Sequence, residues 1–271
     1  MYLNEEDLLA LQRTLLEILE DIDSVCKREN IQYYLIAGTL LGAVRDKGFI
    51  PWDDDLDIAM PREDYDRFVE NAAQWLGDKY YFQNYISDKK YFIPFSKVRL
   101  NGSVFKEKAL ANLDIHHGVY VDVFPIDSVS ENRAMRRLDS AFFMLMFAGL
   151  MAKSGHSPYY TVLSPCGEWL FRVIRWVTKL IPRRVIVFCT EKLMRRHNKS
   201  NSEVCCFCWL RLDWLFRWND MGAGTRILFE GKMFCAPQKP EECLRNQYGE
   251  YMRLPPEEQR VPGHEVLEFS L

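Results

Sequence analysis

The chain of 271 residues is long enough to bury a sizeable core, as one large domain or two small ones. Its hydrophobic fraction of 48% suits a globular protein, and 17 Phe, 13 Tyr and 7 Trp make it rich in aromatic side chains. A formal net charge of -3 provides no bulk attraction to nucleic acid, which excludes that class of partner on electrostatic grounds.

Residues 5–30 repeat apolar side chains at three- and four-residue intervals (Leu8, Leu11, Leu15, Ile18, Leu19, Ile22, Val25), which predicts a long helix with one buried face. Asn4 and the acidic Glu5, Glu6 and Asp7 supply its cap and a favourable first turn. This acidic amphipathic start lacks the basic region and continuous apolar core of a secretory signal, so a cytoplasmic location is expected. The eight cysteines are accordingly read as reduced thiols. Cys205, Cys206 and Cys208 lack the separated pairs of a structural zinc site, and buried thiols are the favoured reading over zinc.

Residues 31–36 are β-branched and aromatic and read as a short strand; Gly38-Thr39 then begins a second helix. The first turn of such a helix can present free backbone N–H groups to an anion, although a plain strand-to-helix turn has the same sequence. After Arg45, Lys47 and a turn at Gly48 come Asp53, Asp54, Asp55 and Asp57, four aspartates within five positions. At about 4 Å and an effective dielectric near 20, two carboxylates repel by roughly 4 kcal/mol, so a positive charge must offset them. Residues 56–60 read as a strand, on which Asp55 and Asp57 point to one side and Leu56 and Ile58 to the other. That spacing favours metal ligation over a solvated acidic turn. Of Asp53 and Asp54, one is read as supporting the ligands and the other as exposed; Asp53 is taken as the supporting residue.

Pro61 ends the strand, and residues 62–76 read as a helix. Strands follow at 80–85 and 91–100, the second with Lys97 and Arg99 on one face and an Asn101-Gly102 turn behind it. That basic face is either solvated or turned towards phosphate. In residues 115–124 an alternating strand carries Asp122 among buried positions, and a buried carboxylate requires a partner or a metal. Asp55, Asp57 and Asp122 together supply the oxygen donors that a hard divalent ion prefers. His116 and His117 are read as surface or hydrogen-bonding imidazoles, and Asp127 as closing a turn after Pro125.

From residue 131 the chain becomes helical. The apolar run 141–152 is too short to span a bilayer and predicts a buried helix. Residues 155–165 break the pattern with Gly, Ser and two prolines, and 169–188 mix Trp and Phe with five Arg and Lys. This last stretch reads either as a membrane-surface helix or as arginines that pair with the acidic strands. A hairpin is expected over 227–236 with its turn at Glu230-Gly231, a short helix at 240–248 ended by Gly249, and then an irregular Pro-rich tail that wraps the surface or rims the site. Residues 1–130 are read as the catalytic core, and 131–271 as a helical region and tail packed on it rather than an independent domain.

Residues 37–68, with the PWDDDLDI segment at their centre, together with HGVYVDVFPID at 117–127 and LRNQYGEYMRLPP at 244–256, closely resemble the LicD family of phosphotransferases, which includes the fukutin-related proteins. The resemblance runs from the first helix to the tail and is loose over 131–230. It implies an α+β fold of the nucleotidyltransferase (polymerase-β) type, a mixed sheet core with helical additions. It also implies transfer of a phospho-alcohol, typically phosphocholine from CDP-choline, to a sugar of lipopolysaccharide or teichoic acid; fukutin-related members use CDP-ribitol. By that resemblance Asp55, Asp57 and Asp122 hold Mg²⁺ or Mn²⁺, and Gly38, Thr39, Arg45, Lys97 and Arg99 contact the donor. The expected partners are a CDP-alcohol and a glycan or lipid-linked glycan acceptor, met in the cytoplasm with the inner membrane face as an open alternative. Ribitol, glycerol or ethanolamine phosphate transfer, nucleotidyl transfer to a small molecule, and a non-catalytic binding role are the rival readings. The zinc module of fukutin-related proteins precedes their acidic motif, so it does not carry over to the cysteines here.

Overall fold

The computed structural model describes residues 2–156, 173, 176–178 and 180–271. Helix α1 (Glu5–Glu29) begins where Asn4 accepts a hydrogen bond from the Asp7 N–H at 2.9 Å and ends where Asn30 turns into the left-handed region at φ 52°. Its buried stripe runs from Leu8 to Cys26 and enters the main core.

Strands β1 (Tyr34–Leu35), β2 (Asp57–Pro61), β3 (Tyr80–Gln83), β4 (Ser96–Leu100) and β6 (Tyr120–Ser128) form the central sheet in the order β1-β2-β6-β4-β3. The far end of β6 also pairs with β7 (Val204–Cys206), which pairs in turn with β8 (Phe216–Arg217). Only β2 and β6 run parallel; the other neighbours are antiparallel. All nine residues of β6 are buried, as expected of a strand bonded on both sides. Helix α3 (Arg62–Leu76) follows β2 directly and covers one sheet face, where the Tyr65 and Ser96 hydroxyls meet at 2.6 Å.

Two further ribbons flank the sheet. Strand β5 (Val104–Glu107) pairs with the last strand, β11 (Val266–Ser270). Strands β9 (Thr225–Phe229) and β10 (Lys232–Ala236) form the expected hairpin, with Glu230 at φ 49° and Gly231 at φ 75° in its turn. Helices α2 (Ala37–Arg45), α4 (Arg133–Lys153), α5 (Arg183–Met194) and α6 (Pro240–Tyr248) complete the described mixed α+β architecture. The main core draws Cys205, Phe207, Phe216, Phe234, Leu244 and Val266 in with the residues of α1 and the sheet.

Several expectations are corrected. The strands expected over 31–36 and 91–100 are trimmed to β1 and β4, because only those residues find ladder partners. The Pro-rich tail is irregular as expected up to Glu265 apart from a single helical turn at Glu257–Gln259, and the residues after it form a strand, β11, that gains a ladder from β5. Helix α4 is not buried over 141–152: Phe143 and Leu150 point inward, while Phe142, Met144 and Leu145 are exposed. Most of the stretches 155–165 and 169–182, with Arg172, Arg175 and Lys179, lies outside the described residues. Among the described residues, no helix is long and apolar enough to cross a membrane.

Asp127 does not close a turn. Strand β6 continues through Pro125, and Asp127 is fully buried. Arg62 Nε donates to Asp127 Oδ1 at 2.8 Å, a second guanidinium N–H reaches Oδ2, and Asn198 Nδ2 donates to Oδ1 at 2.6 Å. Burial opposes the charge on Arg62, but Asp127 outweighs it and raises the guanidinium pKa. Removing one partner of such a pair leaves an unpaired buried charge, which costs about 3–5 kcal/mol. Arg62→Met is therefore expected to destabilise the protein by about that amount in urea unfolding, and a loss below about 1 kcal/mol would show that the pair is dispensable.

Candidate active site

The sheet register builds the centre of the site. In the parallel β2–β6 pair Asp57 lies opposite Asp122, and in the antiparallel β4–β6 pair Asp122 lies opposite Lys97. Residues in register share a sheet face, and Ser96, one position earlier, faces α3. The row Asp57–Asp122–Lys97 therefore occupies the face away from α3. Lys97 Nζ is 2.7 Å from Asp122 Oδ1 and 3.3 Å from the centroid of the Tyr120 ring. Strand β4 lies inside the sheet, so its basic side chains are buried rather than solvated.

The loop before β2 adds more carboxylates. Asp55 stands two residues before the first paired residue of the strand, Asp57, and the Asp53 and Asp55 carboxyl groups lie close enough to perturb each other. The start of α2 fits around them. Thr39 Oγ1 accepts a hydrogen bond from the Asp57 N–H at 2.8 Å, and a Cβ on Gly38 would sit 2.8 Å from Asp53 Oδ2. Glycine is required there by the close approach of that carboxylate. Ala37 holds a left-handed φ of 49°, and α2 has no side-chain cap at its N-terminus, so its first turn faces the loop without one.

Burial and mutual repulsion dominate the electrostatics. Burial, then the charges of Asp55 and Asp54, raise the Asp53 pKa well above the usual carboxylate range. Burial, then Asp55 and Asp122, do the same to Asp57. Burial also raises Asp55. At Asp122 burial is partly offset by Lys97, and the carboxyl is pushed up to about 6. Raised values of this kind mark carboxylates whose burial, with the like charges beside it, is not fully offset by the cations nearby. An all-carboxylate donor set so placed fits a hard divalent cation.

Asp54, Asp55 and His264 also bring ligand atoms within 4.8 Å of one another and form a candidate metal-holding cluster. Asp54 has another task as well. Its carboxylate accepts from the Gly263 N–H at 3.0 Å and the His264 N–H at 2.9 Å, and faces His264 Nδ1 at 3.0 Å. It is 2% exposed, so neither Asp53 nor Asp54 is the exposed residue expected from the sequence. His264 Nε2 lies 3.8 Å from Glu107. Burial opposes a charge on His264, but Asp54, Glu107 and Asp55 hold its pKa up to about 9.

The other expected donor contacts are distributed differently. Arg45 is bonded to Asp46 with its nearest oxygen at 2.9 Å, roughly 10 Å along α2 from Gly38. Arg99 donates to Gln83 Oε1 at 2.5 Å and to the Gly118 carbonyl at 2.7 Å, with Nη2 buried and unpartnered. The structure thus brings Gly38, Thr39, Asp53, Asp55, Asp57, Asp122 and Lys97 together; Arg45 is paired with Asp46, and Arg99 bonds Gln83 and Gly118 with its guanidinium 4.6 Å over the Tyr120 ring that also carries Lys97. His116 and His117 are hydrogen-bonding imidazoles, on Asn101 and the Leu113 carbonyl. Sequence reasoning missed His264, Glu107 and Tyr248, whose hydroxyl pKa is raised by burial and then by Asp57, Asp53 and Asp55. Asp54→Ala removes the acceptor that ties Gly263 and His264 down. Amide exchange within β11 should then quicken about tenfold or more while α1 is unaffected; unchanged exchange would mean that β5 alone holds the tail.

Residues 30–142 match the family described as LicD/FKTN/FKRP, nucleotidyltransferase domain. The lipopolysaccharide cholinephosphotransferase LicD of Haemophilus influenzae is 27% identical over 265 residues, which span 93% of this chain and 94% of that protein. An uncharacterized protein of Rickettsia typhi is 42% identical over 62 residues, 23% of this chain and 20% of its own. A Rickettsia prowazekii counterpart is 47% identical over 51 residues, 19% of each chain. The matched span contains Gly38, Thr39, the aspartate loop, Lys97 and Asp122, and residues 30–142 thus form a LicD-family nucleotidyltransferase domain.

Proposed function

We propose that the protein transfers a phospho-alcohol, with phosphocholine from CDP-choline as the leading donor, to a sugar hydroxyl of a glycan or lipid-linked glycan, releasing CMP. The observation that carries this reading is the register that sets Asp57 beside Asp122, with Asp55 and Asp53 on the adjoining loop. The Haemophilus relative, named as a lipopolysaccharide cholinephosphotransferase, supports the choice of donor and acceptor class. Cytoplasmic placement and a single catalytic unit, with 131–271 added to the core of 1–130, belong to the same proposal.

Asp55, Asp57 and Asp122 would hold Mg²⁺ or Mn²⁺, with Asp53 supporting Asp55. When bound, the ion supplies positive charge against the donor diphosphate and the departing CMP oxygen. The chain's own residues do the rest. The acceptor oxygen forms a bond to the phosphorus nearer the alcohol, and the bond from that phosphorus to the bridging oxygen breaks, so the electron pair leaves with CMP. The acceptor proton passes to a carboxylate, for which Asp122 is the proposed base. Lys97, ion-paired to Asp122 and resting on Tyr120, orients that carboxylate and adds a fixed positive charge to the site. The uncapped first turn of α2 offers backbone N–H groups to donor phosphate.

The family's description as a nucleotidyltransferase domain favours a second reading, nucleotidyl transfer from an NTP to a small molecule. The two release different products. A screen of CDP-choline, CDP-ribitol, CDP-glycerol, CDP-ethanolamine and the four NTPs, with added Mg²⁺ or Mn²⁺, should give CMP from a CDP-alcohol. Pyrophosphate from an NTP instead would overturn the proposal. Asp55→Ala and Asp57→Ala are expected to lower kcat by about a thousandfold or more with the fold retained by circular dichroism, and turnover near the wild-type rate would misplace the centre. For Asp122→Asn, kcat/KM against pH in each metal should fall by about a hundredfold or more; an unchanged rate would remove Asp122 from both of its proposed roles.

A further inference from the structure

Away from the acidic loop, α4 and α5 expose apolar surface that nothing in the described structure covers. Helix α4 is apolar on two sides. Phe143 and Leu150 enter the core, whereas Leu138 and Phe142 are 55% and 57% exposed, and Leu145 follows on the same outer stripe. Beside it Trp176 is 68%, Leu180 79% and Phe188 60% exposed. Between these helices a groove of about 410 Å³ is lined by Leu145, Gly149, Val177, Ile181 and Val185 among others. Single exposed apolar residues are ordinary, but a contiguous patch of this kind marks an interaction surface.

The charge around the patch selects the occupant. In sequence, residues 131–196 carry 12 Lys and Arg against 4 Asp and Glu. Of the described ones, Arg183 is held by the Tyr85 and Tyr91 carbonyls, Arg195 by Asp66 and Glu191 and Arg196 by Asp139, while Arg184 and Lys192 stand exposed on α5. Arg184, Phe188 and Lys192 follow at four-residue spacing on one side of α5, and Lys192 Nζ lies 5.5 Å over the Phe188 ring. This cation–π contact keeps an exposed apolar ring and a positive charge side by side at the surface, the two groups that an anionic lipid interface takes up together. A second copy of the chain would set one cationic face against another, which repels.

We propose that the α4–α5 face docks on an anionic lipid bilayer surface, with Trp176 and Phe188 entering the interface and Arg184 and Lys192 contacting lipid phosphate. This goes beyond the transfer reaction and does not rest on it. The test is flotation of the full chain with vesicles of equal parts phosphatidylglycerol and phosphatidylcholine, against vesicles of phosphatidylcholine alone. The expected result is flotation with the anionic vesicles, weakened about tenfold or more at roughly 0.5 M salt and on the neutral vesicles. Two double variants, Trp176→Glu with Phe188→Glu and Arg184→Glu with Lys192→Glu, should each weaken binding about tenfold or more. Circular dichroism of both variants should match the wild type, because the four side chains lie outside the core. The proposal is overturned if neither vesicle is bound or if both variants float like the wild type. It is also overturned if sedimentation shows a dimer that the Trp176→Glu, Phe188→Glu variant dissociates, which would assign the face to a second copy.

Discussion

The row of Asp57, Asp122 and Lys97 across three neighbouring strands is the constraint on which the rest depends. Strands in a sheet lie about 4.8 Å apart, so two carboxylates in register cannot avoid one another. At that separation each pair repels by a few kcal/mol even at an effective dielectric of 20. Lys97 offsets one charge, and Asp53 and Asp55 add two more to the balance. A sheet can carry such a load only if its backbone cannot yield. Accordingly β6 is buried along its whole length, the opposite face is covered by α3, and Arg62 fixes Asp127 at the far end of the same strand.

The local parts of this arrangement were legible in the sequence. The period of α1, the Asn4 cap, the span of α3 and the Glu230-Gly231 turn each follow from residues within a few positions of one another. So does the expectation that Asp122 cannot be a lone buried acid. What escaped was long-range. Nothing around Asp127 shows that Arg62 and Asn198 complete it, so Pro125 was read as the end of a strand that in fact continues. Asp54 looked like a surplus charge because its three partners stand some 210 positions away.

The cations illustrate the same limit from another side. Lys97 and Arg99 share one strand face in the sequence, yet Lys97 meets the acidic row while Arg99 is spent on Gln83 and the Gly118 carbonyl. Arg45 sits two turns along a helix whose other end approaches the site, and its partner is the adjacent Asp46. Residue type and alternation identify a basic face; only the register shows which member of it reaches the carboxylates. In α4 the apolar run was equally visible, but its length could not reveal that Phe142, Met144 and Leu145 stand exposed.

The clasp between Asp54 and the Gly263-His264 segment sets an order of events during synthesis. At about 5–20 residues per second, the aspartate loop leaves the ribosome some ten to forty seconds before its partners exist. Through that interval the loop lacks three of the hydrogen bonds that shape it, and the edge of β5 stands open to any strand that can pair with it. Completion of the site is thus coupled to synthesis of the 263–270 segment, and a nascent chain that has not reached it holds the acidic motif without its finished frame.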